Sequence, residues 1–314
     1  MNHGIRRLLI GGIVAVVLGI AFCALVFVRA QRRINEATQP DAIPATNVVA
    51  PSPLPPLPAS TTPTVRVAII GGMNETGFWQ ALSDRFTQST GIKVLLLAAG
   101  PVDGIAPVFR HGGIDLITTH SCDTIINLVA DGYAINPQPW TKNDLIIVGP
   151  PDDPAHIKGT TDALAAFRKI VASKSNFIVH SSVGVHEVIE DILAPADLTL
   201  NPATTTSLLD DKMRRVLAIA AEKHAYTLIG RIPFLDGKIP NHGMVVMVQG
   251  DPKLRRPFVV EIANPARMHD VHLSEAKKLQ AFLLSPQTQI WLAQYDKGKY
   301  DDDPLFFPIW PTAK

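Results

Sequence analysis

The stretch NDLIIVGPPDDPAHIKGTTDALAAFRKIVASKSNFIV (residues 143–179) contains three elements in a row. NDLIIVGP is an apolar run closed by turn residues, the pattern of a buried strand. TDALAAFRKIVAS carries apolar residues at helical spacing, with Thr161 or Asp162 placed to cap its start. NFIV is a second short apolar run and reads as another strand. A strand, a helix of this length and a further strand predict an α/β sheet with mostly parallel strands.

Working outward, the alternation continues. Upstream, VRVAII (65–70), KVLLLAAG (93–100) and IDLITTH (114–120) read as strands. FWQALSDRFTQST (78–90), stopped by Gly91, and DTIINLVADG (123–132) read as helices. Downstream, KMRRVLAIAAEKH (212–224) is a helix, AYTLI, GMVVMVQG and PFVVEIAN are strands, and two helices close the chain. Thr204–Ser207 lies in a loop and reads as a turn and helix cap. Trp79, Trp140, Trp291 and Trp310 read as packing residues, with Phe306 and Phe307 sealing the C-terminal tail onto the body.

Before the body comes a different kind of sequence. Residues 8–28 form an uncharged run of 21 residues flanked by Arg6-Arg7 and Arg29, long enough to cross a bilayer as a helix. An uncleaved anchor within residues 1–33 is the preferred reading, with cleavage after Ala30 as its alternative. Residues 34–64, rich in Pro, Ala, Ser and Thr, form an extended spacer. The body, residues 65–314, is long enough for two α/β lobes. Downstream of residue 41 there are 24 basic and 26 acidic residues. Such a balance leaves no basic stripe, so nucleic acid is excluded as a partner. Cys23 and Cys122 lie in different segments, so the body holds no internal disulfide.

Several segments together carry a resemblance. DRFTQSTGIKV, DGYAINPQPWTKNDLIIVGPPDDPAHIKG, DALAAFRKI, EKHAYTLIGR and GKYDDDPLFFPIWP occur in an order and spacing similar to the tungstate-type periplasmic substrate-binding proteins of ABC importers. The resemblance implies a type II periplasmic-binding fold, with two α/β lobes, a hinge and a central cleft that holds an oxyanion. Lobe 1 would take about 65–145 and 250–314, and lobe 2 about 146–249. The crossovers would fall near 144–148 and 245–260. It implies no enzyme activity and no cofactor. The partners it implies are a small anionic ligand and an ABC permease.

Transferred residue by residue, the family's ligand segments fall at three places. After the first strand stand Gly71, Gly72, Asn74 and Thr76, where the family has a Thr/Ser run. After the next strand come Gly100, Pro101, Val102, Asp103 and Gly104; Pro101 lacks an N–H, and Asp103 would repel an anion if it faced the cleft. The third segment is His180, Ser181, Ser182 and Gly184, with Tyr226 on a matching strand. The family's Arg is replaced by His180 and a ligand Thr by Val185. His180 either acts as a pH-sensitive anion group, with affinity rising from about pH 8 to 6, or packs against a carbonyl while the serines cap the next helix.

Other chemistries find less support. His180, His186, Glu187 and Glu190 are near in sequence, but HEVIE lacks the second His of a zinc helix, so no metal is assigned. No phosphate loop or nucleophile elbow is present. Two functions remain: a membrane-tethered receptor delivering a small oxyanion to an importer, or an anchored sensor or protein-interaction module that has lost transport.

Overall fold

The computed structural model describes residues 62–180, 183–208, 213–237 and 239–309. The uncharged run at 8–28, the spacer up to residue 61, Ser181, Ser182 and Trp310 lie outside them. Among the described residues, no helix is long and apolar enough to cross a membrane.

The first half is built around β1 (Thr64–Ile70), which runs parallel to β2 (Lys93–Gly100) and β3 (Leu116–His120). Two long strands continue the sheet. β9 (Arg255–Ala263) lies antiparallel to β3, and β4 (Ala134–Gly149) antiparallel to β9. β4 changes partner at its middle. Up to Asp144 it pairs with β9; from Leu145 to Val148 it pairs with β7 (Ala225–Gly230). β5 (Asn176–His180) runs parallel to β7, and β6 (Thr205–Leu208) parallel to β5. β8 (Val245–Val248) pairs with the C-terminal end of β4, and β10 (Phe307–Pro308) with its middle, at Thr141 and Lys142.

The expectation of a mostly parallel sheet is therefore corrected to a mixed one. β4 and β9 pass between the halves and run against the parallel strands on either side.

Each half packs helices on both sheet faces. In the first, α1 (Gly71–Glu75), α2 (Phe78–Thr90), α9 (Leu273–Leu284) and α10 (Pro286–Leu292) cover one face. Its core includes Val67, Phe78, Trp140, Phe258 and Phe306. α3 (Val102–His111) and α4 (Asp123–Ala130) cover the other face through Ile105, Phe109, Ile125 and Leu128. In the second half, α5 (Ala163–Ala172) and α6 (Val183–Leu193) pack with Phe177 and Tyr226. α7 (Met213–Glu222) packs on the opposite face with Ile146 and Ile178. α8 (Arg231–Leu235) buries Arg231, whose Nη1 donates to the Pro304 carbonyl at 3.0 Å.

Local signals explain many of these boundaries. The Asp162 carboxylate accepts from Ala165 N at 3.0 Å and starts α5. Gly91, at φ 72°, ends α2 in the left-handed conformation. Trp140 is a packing residue: its indole donates to Thr118 Oγ1 at 2.7 Å. Phe306 stacks on Phe78 at 4.1 Å, fixing the C-terminal segment as expected.

Two local expectations fail. β4 begins nine residues before the Asn143 read from sequence, because Pro137 and Pro139 sit at register shifts that relieve their missing N–H groups. Thr204–Ser207 is not a turn and cap; from Thr205 onward it is β6, the last strand in the sheet order, where β-branched residues suit a half-exposed edge.

Candidate functional site

The strands of both halves end at one cleft of about 660 Å³. Ile70, Gly100, His120, His180 and Gly230 line it, and they are the last residues of β1, β2, β3, β5 and β7. The carboxyl ends of parallel strands are where open α/β sheets place ligands, because the following helices start there. α3, α4 and α6 all begin at this rim, presenting the partial positive charge of their N-termini. The joining strands contribute Asn143 and Leu145 from β4 and Arg256 from β9.

Arg256 supplies the fixed cation. The residue is 8% exposed and lines the cleft. Its guanidinium lies over Gly184 in the first turn of α6, so close that a Cβ at 184 would fall 1.8 Å from Cζ. Nη2 donates to the Ser121 carbonyl at 3.3 Å, and Glu187 Oε2 stands 3.9 Å away. Arg256 makes no other hydrogen bond among the described residues, so its fork keeps donors for a ligand. Burial works against its charge, while Glu187 and then Cys122 favour it.

The seat over Gly184 gives a test. Gly184→Ala must push the guanidinium aside while adding a better helix former to α6. Anion affinity is expected to fall about tenfold with the melting temperature unchanged or raised. Calorimetric titration and a thermal melt on the same sample read both; undiminished affinity would show that this seat is irrelevant to binding.

The two cleft histidines are neutral at physiological pH. His120 is pushed down to about 3, first by burial and then by the charge of Arg256. Its ring packs on Phe258 at 4.3 Å, and Nε2 accepts from Asn143 Nδ2 at 3.3 Å. Among the described residues Asn143 Oδ1 has no hydrogen-bond partner, although the residue is only 8% exposed. His180, 4% exposed, is also held below the usual imidazole range, by burial first and then by His186. A neutral His180 is a poor replacement for an arginine.

Of the residues singled out from sequence, Gly71, Gly72, His180 and Gly184 line the cleft. Asp103 lines it as well. Asn74 and Gly104 are exposed outside it. The Thr76 hydroxyl donates to Gly72 O at 2.9 Å and accepts from Phe78 N at 3.4 Å, a role at the start of α2. Tyr226 points into the core of the second half: its hydroxyl donates to Asp153 Oδ1 at 2.7 Å and accepts from Ala155 N at 2.9 Å. Sequence reasoning placed none of Arg256, Asn143 and His120 in the ligand site. The only available signal for Arg256 was a charge opening the apolar run PFVVEIAN.

Comparison with known proteins agrees with this architecture. The family described as bacterial extracellular solute-binding proteins matches residues 65–295. A Haloferax volcanii protein with the provisional name of ABC transporter anion-binding protein is 28% identical over 253 residues, covering 79% of this chain and 72% of its own. The tungstate-binding protein TupA of Peptoclostridium acidaminophilum is 27% identical over 249 residues, covering 78% and 85%. The solved structure of the tungstate-binding protein TupA from Desulfovibrio alaskensis superposes with a TM-score of 0.65 at 25% identity, covering 79% of this chain and 99% of that one. These relatives are solute receptors rather than enzymes. With a mixed sheet crossed by two strands, a cleft at the strand ends and a family match across the body, the chain belongs to the bacterial extracellular solute-binding proteins.

Proposed function

We propose that this protein is a membrane-tethered, extracytoplasmic receptor that captures a small oxyanion in its cleft and delivers it to an ABC importer. The observation that carries the reading is Arg256, a nearly buried guanidinium with open donors facing a cleft where helix N-termini converge. The names of the relatives, tungstate-binding and ABC anion-binding, support an anionic cargo and make tungstate or molybdate the first candidates. Gly71, Gly72 and Gly184 offer close backbone approach, and Ser181 and Ser182 would add hydroxyls beside His180. β4 and β9 serve as the hinge about which the halves close on cargo. The uncharged run at 8–28 is the tether, followed by the spacer.

The test is a thermal-shift panel of tungstate, molybdate, sulfate, phosphate, short carboxylates and divalent metals on the purified full-length chain. At about a hundred times Kd, a true ligand adds roughly 2.7 kcal/mol, enough to raise Tm by several degrees. A response to an anion, with contraction in small-angle scattering, is the expected result. Silence from every anion, or a response to metals alone, would sink the reading.

A further inference from the structure

The described lining of the cleft poorly matches a bare tetrahedral ion. Such an ion displaces only a few waters, each about 30 Å³ of liquid volume, while the cleft holds about 660 Å³. That volume lies in the range of organic-solute pockets, which are largely apolar with a few placed polar groups. Ile70, Val102, Leu145, Val185 and Pro233 supply carbon surface on several sides. Among the described lining residues, Thr124 carries the only hydroxyl, so side-chain hydroxyl donors for a desolvated tetrahedral dianion are few.

The charge pattern is equally specific. Arg256 is the only described cation lining the cleft, whereas Glu75 and Asp103 both bring carboxylates to the opposite, β1–β2 side. A dianion near them is repelled; a group that donates hydrogen bonds is welcomed. Asn143 makes the same demand from the joining strand. Asn143 lines the cleft, and its buried Oδ1 has no donor among the described residues, which is costly unless a ligand supplies one. A fully deprotonated metal oxyanion has no donor to give.

Resting on the oxyanion-receptor reading above, we infer that the cargo is a small organic acid: a carboxylate seated on Arg256, an apolar body against the carbon walls, and a hydroxyl or ammonium donor toward Asn143 and Asp103. The guanidinium fork matches one carboxylate in a bidentate pair. The remaining acceptors then have a partner within the same ligand.

Paired ligands test this by calorimetry on the full-length chain. Lactate and alanine are compared with propionate, and leucate and leucine with isocaproate, beside tungstate and molybdate. At least one donor-bearing acid is expected to bind about tenfold tighter than its donor-free counterpart and than either metal oxyanion. Tungstate or molybdate outcompeting every carboxylate overturns the inference and leaves the receptor reading intact. Equal binding of donor-bearing and donor-free acids also overturns it. Silence from all of them overturns the inference, and the receptor reading as well if sulfate and phosphate are also silent. Asp103→Asn, a change at an exposed position in the first turn of α3, separates the walls. It is expected to weaken the best donor-bearing acid several-fold and to strengthen tungstate; an unchanged ratio would overturn the assignment of the donor to Asp103.

Discussion

Replacing Arg256 with glutamine is expected to weaken anion binding by on the order of a hundredfold. A charge-assisted hydrogen bond contributes about 1.5–3 kcal/mol, and two lost together exceed the roughly 2.7 kcal/mol that a hundredfold represents. The loss should appear in Kd rather than in folding, since the side chain makes one hydrogen bond to the described protein, at 3.3 Å. Titration calorimetry of Arg256→Gln beside a thermal melt checks this. Binding within about threefold of the parent would remove Arg256 from the site. Because burial keeps His120 neutral and pushes His180 below the usual imidazole range, little rise in the parent's affinity is expected from about pH 8 to 6. A rise toward pH 6 would instead restore His180 as the anion group.

The second large effect concerns stability. Glu261 lies on β9 opposite Ile117, fully buried, with neither carboxyl oxygen hydrogen-bonded among the described residues. It shares a strand face with Val259 and Ala263, which pack in the cluster under α3 and α4. Burial pushes its carboxyl up to about 8. The folded protein thus holds a proton that the unfolded chain releases near the ordinary value of about 4.3. Its contribution is full below that unfolded value and falls as pH rises toward about 8, with a slope of up to ~1.4 kcal/mol per pH unit. Glu261→Gln cannot ionise, so it should gain stability relative to the parent across this window and level off above it. Urea unfolding of both proteins over a pH series reads the difference. A gap that stays constant with pH would mean that Glu261 is already ionised in the fold.

The histories of these two residues differ. Both sit in one strand that was easy to see: PFVVEIAN is an apolar run bounded by turn residues, and the strand appears where that pattern puts it. Nothing in the run says which face meets a core and which end meets a cleft. Those facts depend on β3 and β4 lying on either side of β9, pairings more than a hundred residues apart for β3. The same limit explains Tyr226, which matches a relative's strand yet turns its hydroxyl to Asp153. It also explains β6, whose threonines show a strand only once β5 is beside them.

The sequence by itself determined the α/β class, most elements, the cap at Asp162, the apolar run at 8–28 and the family frame, because each rests on local periodicity, capping or composition. It also located the turns at Gly71, His180 and Gly184 that line the cleft. Only the tertiary structure decided where the positive charge lies. The cation sought at His180 comes from Arg256, 76 positions later in the chain, on a strand that crosses between the halves. Gly184 lacks a side chain at the point where that guanidinium must rest, and a contact across such a distance leaves no periodic trace in either segment.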